Sequence, residues 1–233
     1  LSRLIEKSDG VGKIKIEDKW ILSKLNLLIK EATDELENFH LYLAMRKLQN
    51  FWVNDFSRRY IQIVRDRLAN EDKSAKETLK EVYIALLKLT APMVPFLTEK
   101  IWQGLKEKGI VKEDSVHLTS WPKEEEKKVD KKLEEEFEII FKIIESGLAE
   151  RDKAQIGLKW PLGKAEIVCV KKLDKQIEEI IKSQFNVKEL KFSDVKEISV
   201  KLDTKQTSEL EAEGYAREIS RAVQAFRKEL GLK

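Results

Sequence analysis

Groups able to do acid–base, nucleophilic or metal chemistry are few in this chain. The histidines are His40 and His117 alone, far apart in sequence, and neither stands in a His-Glu-x-x-His or comparable ligand spacing. His40 near a helix start and His117 before a Trp-Pro turn read as structural residues. The one cysteine, Cys169, excludes an intramolecular disulfide and a cysteine-based zinc cluster, and its setting in AEIVCV reads as a buried small side chain on a strand. KSDGVGKIK at 7–15 lacks the two glycines five apart, followed by Lys and Ser or Thr, that a phosphate loop requires, so it reads as a linker. No catalytic, cofactor-binding or metal-ligating set is expected.

RNA binding leaves another trace: cations that meet phosphates, with planar groups for unstacked bases. Three clusters qualify. Arg46 to Arg67 carries six basic residues and two acidic, Arg151 to Lys175 seven and three, and Gly214 to Lys233 five and two. The first holds Arg46, Arg58, Arg59, Arg65 and Arg67, and the second Arg151 and Lys153. Lys159 beside Trp160 is a cation next to an indole in a loop, suited to holding an unpaired base by stacking while the backbone is neutralised. The bland readings are ion pairing of Arg58 and Arg59 with Asp55, and a core role for Trp160 beside Pro161. Net charge is only +3, so an RNA partner must be met by local clusters and not by the bulk field.

These residues need elements to position them, and the hydrophobic spacing supplies mostly helices. Ile21, Leu22, Leu25, Leu28, Ile29, Ala32 and Leu36 mark one amphipathic helix. Asn38 is placed to cap a second, along which Ala44, Leu48, Trp52, Tyr60 and Val64 return at multiples of four. A third runs through Leu79, Val82, Tyr83, Leu86 and Leu89 until Pro92 and Pro95, and a fourth starts near Pro95, with Phe96, Ile101, Trp102 and Trp121 expected to bury large apolar area. Lys123 to Glu138 has 13 charged residues in 16, read as a solvated face over the stripe Val129, Leu133, Phe137, Ile140, Ile144 and Leu148 of a last long helix ending near Glu150.

Beyond Glu150 the pattern changes to strands in AEIVCV, VKELKF and KEISVKL and a short helix in DKQIEEIIKSQ. A terminal helix follows, capped by Thr207 or Ser208, with Ala216, Ile219, Val223, Phe226 and Leu230 as its stripe. The fold expected is mainly α: a linker over 1–15, a helical bundle over 16–150, and a small α+β unit with terminal helix over 151–233. Apolar content of 42% is ample for a core, and no run of 18 apolar residues exists, which points to a soluble, cytoplasmic protein that avoids membranes. Charged residues at 37% exceed the usual quarter and fit a helix-rich chain.

The wording is more specific than the periodicity. DKWILSKLN, an A-M-R-K-L turn, FWVNDFSRRY, VRDR, then APMVPFLTEKIW and SVHLTSWP, resemble the anticodon-binding helical domain of class Ia aminoacyl-tRNA synthetases. DFSR-x-Y with VRDR is most similar to the isoleucyl branch, where valyl enzymes usually show Cys in place of the Ser. The family commonly has a second aromatic before the Tyr, and Arg59 stands there here. R-x-K-A-x-I-x-L-K-W-P-L with the final GYAREISRAVQAFRKELGL resembles the junction region of archaeal and eukaryotic-type isoleucyl enzymes. The resemblance implies tRNA, in particular isoleucine tRNA, as partner, beside a catalytic domain of the same polypeptide where ATP would be used. The His-x-Gly-His and Lys-Met-Ser-Lys-Ser signatures of that domain do not occur in these residues, which therefore read as a piece that positions tRNA and does not itself activate an amino acid.

Overall fold

The computed structural model describes residues 12–168, 173–193 and 199–232. The linker expected over residues 1–11 and the strand position expected for Cys169 fall outside them. Two compact units emerge, Leu1–Glu135 and Glu136–Lys233.

The first unit is built on α1 (Ile16–Glu37), which packs along α2 (Leu41–Asn50) and α4 (Lys73–Thr90). From Leu41 to Ala69 the backbone is helical without a break: α2, a π-helical segment over Phe51–Tyr60, and α3 (Ile61–Ala69). The π segment bonds one residue further back, as in Ile61 N–H to Phe56 O, and so shifts which side chains face inward. Phe51, Phe56 and Tyr60 are buried in line with Ala44, Leu48, Val64 and Leu68, while Trp52, expected in the stripe, is only half-buried. The wider turn explains why strict multiples of four misplace that one aromatic.

Caps account for the boundaries. Asn38 closes α1 instead of opening α2: its N–H and its side-chain amide both donate to Asp34 O, at 3.1 and 2.7 Å. Asp72 caps α4 by accepting from Ala75 N–H at 3.0 Å. Pro95 is the first residue of α5 (Pro95–Glu107), as its missing amide favours. Trp102 is buried and Trp121 Nε1 donates to Thr33 Oγ1 at 2.9 Å, but Phe96 stands 90% exposed, so its ring does not contribute to the core as expected.

A buried ionic cluster ties this bundle together. Asp18 is fully buried and its carboxylate accepts from Lys15 N–H at 3.0 Å, from the Tyr60 hydroxyl at 2.9 Å, and from both terminal nitrogens of Arg67 at 2.9 and 2.8 Å. Arg67 also donates to Glu17 Oε1 at 2.6 Å, to both Asp72 oxygens at 3.2 Å and to Ser74 Oγ at 2.7 Å. Burial opposes its charge, but the bonds to Asp18 and Asp72 outweigh that and raise its pKa further. Burial likewise works against the Asp72 charge, yet Arg67, the Ala75 amide and Ser74 hold its carboxyl well below the usual range. Tyr60 is pushed up by burial and then by the Asp18 charge.

The helix α6 (Lys131–Lys153) starts later than its charged run, after a single 3-10 turn at Glu126–Lys128, because Asp130 caps it by accepting from Leu133 N–H at 3.1 Å. Its expected stripe is buried at Leu133, Phe137, Ile140 and Ile144.

The second unit holds β1 (Leu162–Val168), α7 (Lys175–Phe185), β2 (Val187–Ser193), β3 (Ser199–Leu202) and α8 (Ser208–Glu229). The sheet order is β2-β1-β3, with β1 parallel to β2 through α7 and antiparallel to β3. Ile177, Ile180, Ile181 and Phe185 form the buried face of α7. A Cβ at Gly147 would lie 2.2 Å from the Phe185 ring, so only glycine lets α6 approach it. Thr207 caps α8 by accepting from Leu210 N–H at 3.3 Å. Against expectation, Ile219, Val223, Phe226 and Leu230 remain exposed, and α8 is held by Leu210 and Gly214 near its start. A Cβ at Gly214 would lie 2.1 Å from the Trp160 ring.

Removing one partner of a buried ion cluster strands the others, so Arg67→Ala should cost about 3–5 kcal/mol in urea denaturation followed by tryptophan fluorescence; a loss below ~1 kcal/mol would refute the clamp. Asp72 binds its proton less readily folded than unfolded, so its stabilisation is complete above the ordinary range near ~4 and is lost as pH falls toward the native value. Asp72→Asn keeps the helix cap and should flatten the urea midpoint between about pH 5 and pH 2, whereas an unchanged slope counts against that coupling. Gly214→Val should abolish hydrogen-exchange protection in α8 while α1 and α4 keep theirs; equal protection in both chains would show that Trp160 does not seat the helix.

Candidate nucleic-acid interface

With Ala44 and Leu48 turned inward, another face of the long helix is set by the residues two positions before each, Tyr42 and Arg46. Tyr42, Arg46, Asn50, Asn54 and Arg58 recur every fourth position, and all but the half-buried Asn54 are exposed. They touch in two groups. The Arg46 guanidinium lies over the Tyr42 ring, 5.5 Å from its centroid; Asn54 Nδ2 donates to Asn50 Oδ1 at 2.7 Å; Arg58 donates to Asn54 Oδ1 at 3.3 Å. Gln62 and Arg65, both exposed, continue the line along α3. The result is a ladder of planar hydrogen-bonding side chains, on the order of 20 Å long. Amides and guanidinia of this kind donate to phosphate and sugar oxygens.

The π segment spans the middle of this line, and Asp55 is buried within it. Asp55 takes Arg59 at 3.2 Å and Lys24 at 4.0 Å. Lys47 is bound to Glu31 at 2.9 Å and Glu35 at 3.8 Å, and the Glu31 bond is the chief reason its pKa is raised. Thus the six cations of this helix divide in two. Lys47, Arg59 and Arg67 answer carboxylates of the bundle, while Arg46 and Arg58 face outward on neutral partners and Arg65 stands exposed beside its neighbour Asp66 at 3.7 Å.

Arg67 is therefore corrected from a phosphate ligand to an internal clamp: its side chain is only 12% exposed and its donors are spent on Glu17, Asp18, Asp72 and Ser74. Arg151 needs the same correction. It is buried and donates to the carbonyls of Phe185, Gly157, Trp160 and Asn186 at 2.8–3.2 Å, and burial lowers its pKa. Carbonyl oxygens at the end of α7 offer the partial negative charge that a phosphate would. Trp160 packs edge-on against Tyr215 at 5.1 Å and against Gly214, so its indole faces α8 and not a base. Lys153 and Lys159 stay exposed, beside Glu150 at 2.6 Å and Glu218 at 2.8 Å, with Lys159 also 5.3 Å from the Trp160 centroid.

His40 Nδ1 lies 3.0 Å from Glu35 and His117 Nε2 3.4 Å from Pro95 O, both at the surface. Tyr42, Asn50, Asn54 and Gln62 are the members that counting charges passes over. Their signal is the spacing of four, offset by two from the apolar stripe. Among the described residues, no helix is long and apolar enough to cross a membrane.

Comparison with known proteins gives the family. Residues 18–169, more than half of the chain, match the family described as the anticodon-binding domain of tRNA ligase. The isoleucine–tRNA ligase of Pyrococcus furiosus is 44% identical over 197 residues, covering 79% of this chain and 18% of that protein. That of Methanococcus maripaludis is 36% identical over 219 residues, covering 90% of this chain and 21% of the relative, and that of Methanopyrus kandleri 34% over 188 residues, covering 78% and 17%. The chain thus spans about a fifth of the length of these relatives. On the family match and the helical architecture together, the chain belongs to the anticodon-binding domains of tRNA ligases.

Proposed function

We propose that this chain holds the anticodon stem and loop of isoleucine tRNA for an isoleucine–tRNA ligase, with amino-acid activation by ATP and transfer to the tRNA carried out by another part of the same cytoplasmic enzyme. The observation that carries the reading is the outward ladder from Tyr42 to Arg58, continued by Gln62 and Arg65. Its role is positional. Arg46, Arg58 and Arg65 meet phosphates, Asn50, Asn54 and Gln62 meet sugar and phosphate oxygens, and the buried Arg67 cluster ties the end of the helix to α1 and α4. Lys153 and Lys159 supply surface cations on the second unit. The relatives named as isoleucine–tRNA ligases favour isoleucine over valine or leucine as the cognate amino acid.

A helical module for protein contacts is the rival, and the carboxylate pairing of Lys47, Arg59 and Arg67 is what favours it. Salt dependence separates the two. Affinity for an isoleucine tRNA transcript should fall steeply as salt rises, and Arg58→Ala should weaken binding several-fold and reduce the log–log salt slope by about 1. A flat salt response, or equal affinity for a transcript with a scrambled anticodon, defeats the reading.

A further inference from the structure

We infer that the turn between α1 and α2 is a stacking platform for unpaired RNA bases, formed by the rings of Phe39 and Tyr42 beside Arg46; this rests on the stem–loop reading and adds which end of the ladder takes the loop. Phe39 has φ of 60°, in the left-handed region that a bulky side chain rarely adopts and that glycine occupies without penalty. Packing does not offset that strain, because the ring is 88% exposed. The turn itself is closed by the backbone: Phe39 N–H donates to Leu36 O at 3.0 Å and His40 N–H to Glu35 O at 2.8 Å. A glycine would make the same bonds, so the ring adds nothing to the fold.

What it does add is an aromatic face in water, close in sequence to other exposed apolar side chains. Leu41 and Tyr42 are 64% and 67% exposed, and Arg46 lies 5.5 Å over the Tyr42 ring. Exposed rings with a guanidinium among them match a nucleotide, since every base offers a π-face and carries a phosphate within reach of the cation. An apolar protein surface would leave that guanidinium without a counter-charge, and this complementarity selects RNA as the occupant. Position agrees. Arg67 gathers the start of α1, the end of α3 and the start of α4 at one end of the bundle, and the Phe39 turn, between the end of α1 and the start of α2, lies at the other. An RNA laid along the ladder thereby puts its paired stem over Arg58 and Arg65 and its loop at Phe39.

The test uses the 233-residue chain, an RNA hairpin with an unpaired purine-rich loop, and the same stem as a blunt duplex. Phe39→Gly should lower hairpin affinity about tenfold, leave duplex affinity unchanged, and hold or raise the thermal midpoint because the strain is relieved. Phe39→Trp should retain hairpin binding. The platform is overturned if Phe39→Gly weakens both RNAs equally, if it leaves hairpin affinity unmoved, or if its only effect is loss of self-association in sedimentation. Arg58→Ala separates the layers: weakening of both RNAs upholds the stem contact whatever Phe39 does, and no weakening of either removes the reading beneath the platform.

Discussion

One guanidinium shared among three carboxylates holds this bundle in register. Arg67 reaches Glu17 and Asp18 at the start of α1 and Asp72 at the cap of α4, and Tyr60 closes the ring from the π segment. Removing four charged groups from water is expensive, and the arrangement survives because nearly every lone pair and N–H is matched in direction as well as in charge. Apolar residues of similar volume would pack as well but would not specify which helix end meets which. The cluster therefore works as an alignment device for three helix termini. Every outward residue of the long helix inherits its orientation from that alignment.

Two demands fall on the helix from Leu41 to Ala69. Its inner face has to bury Ala44, Leu48, Phe51, Phe56, Tyr60, Val64 and Leu68, while its outer face keeps Tyr42, Arg46, Asn50, Asn54 and Arg58 in mutual reach. The π segment reconciles them by widening the turn where Phe51, Asp55, Phe56 and Tyr60 follow closely on one another. Phe56 and Tyr60 then stack with ring centroids 6.2 Å apart. Burying Asp55 there also draws Arg59 and Lys24 toward its carboxylate, while the outer line keeps amides interspersed with the cations Arg46, Arg58 and Arg65.

In the second unit a cation and an indole that look adhesive in sequence are spent on assembly. Arg151 satisfies four carbonyls around the end of α7, a task in which no charge pairing is needed because the carbonyl dipoles converge on it. Trp160 uses the missing side chain of Gly214 to seat α8. The same words that mark the family, VRDR, the Trp-Pro turn and the Gly-Tyr of the last helix, thus mark packing contacts.

Much of the architecture was legible from residue order. Hydrophobic spacing located α1, α4, α6, α7 and α8, prolines placed the break before α5, and short strand-like runs overlap the three strands. Those features follow from local propensity and burial, which the chain carries wherever it goes. The wording of the motifs went further and identified the family. Sequence alone could not tell which cations face water, because a guanidinium is equally suited to phosphate, carboxylate or carbonyl. Only the meeting of Arg67 with Asp18, 49 positions away, and of Arg151 with Phe185, 34 positions away, decided that these two point inward. The exposed Phe39 ring and the uncovered stripe of α8 belong to the same class, since spacing shows that a face is apolar but only the packed chain shows whether anything lies against it.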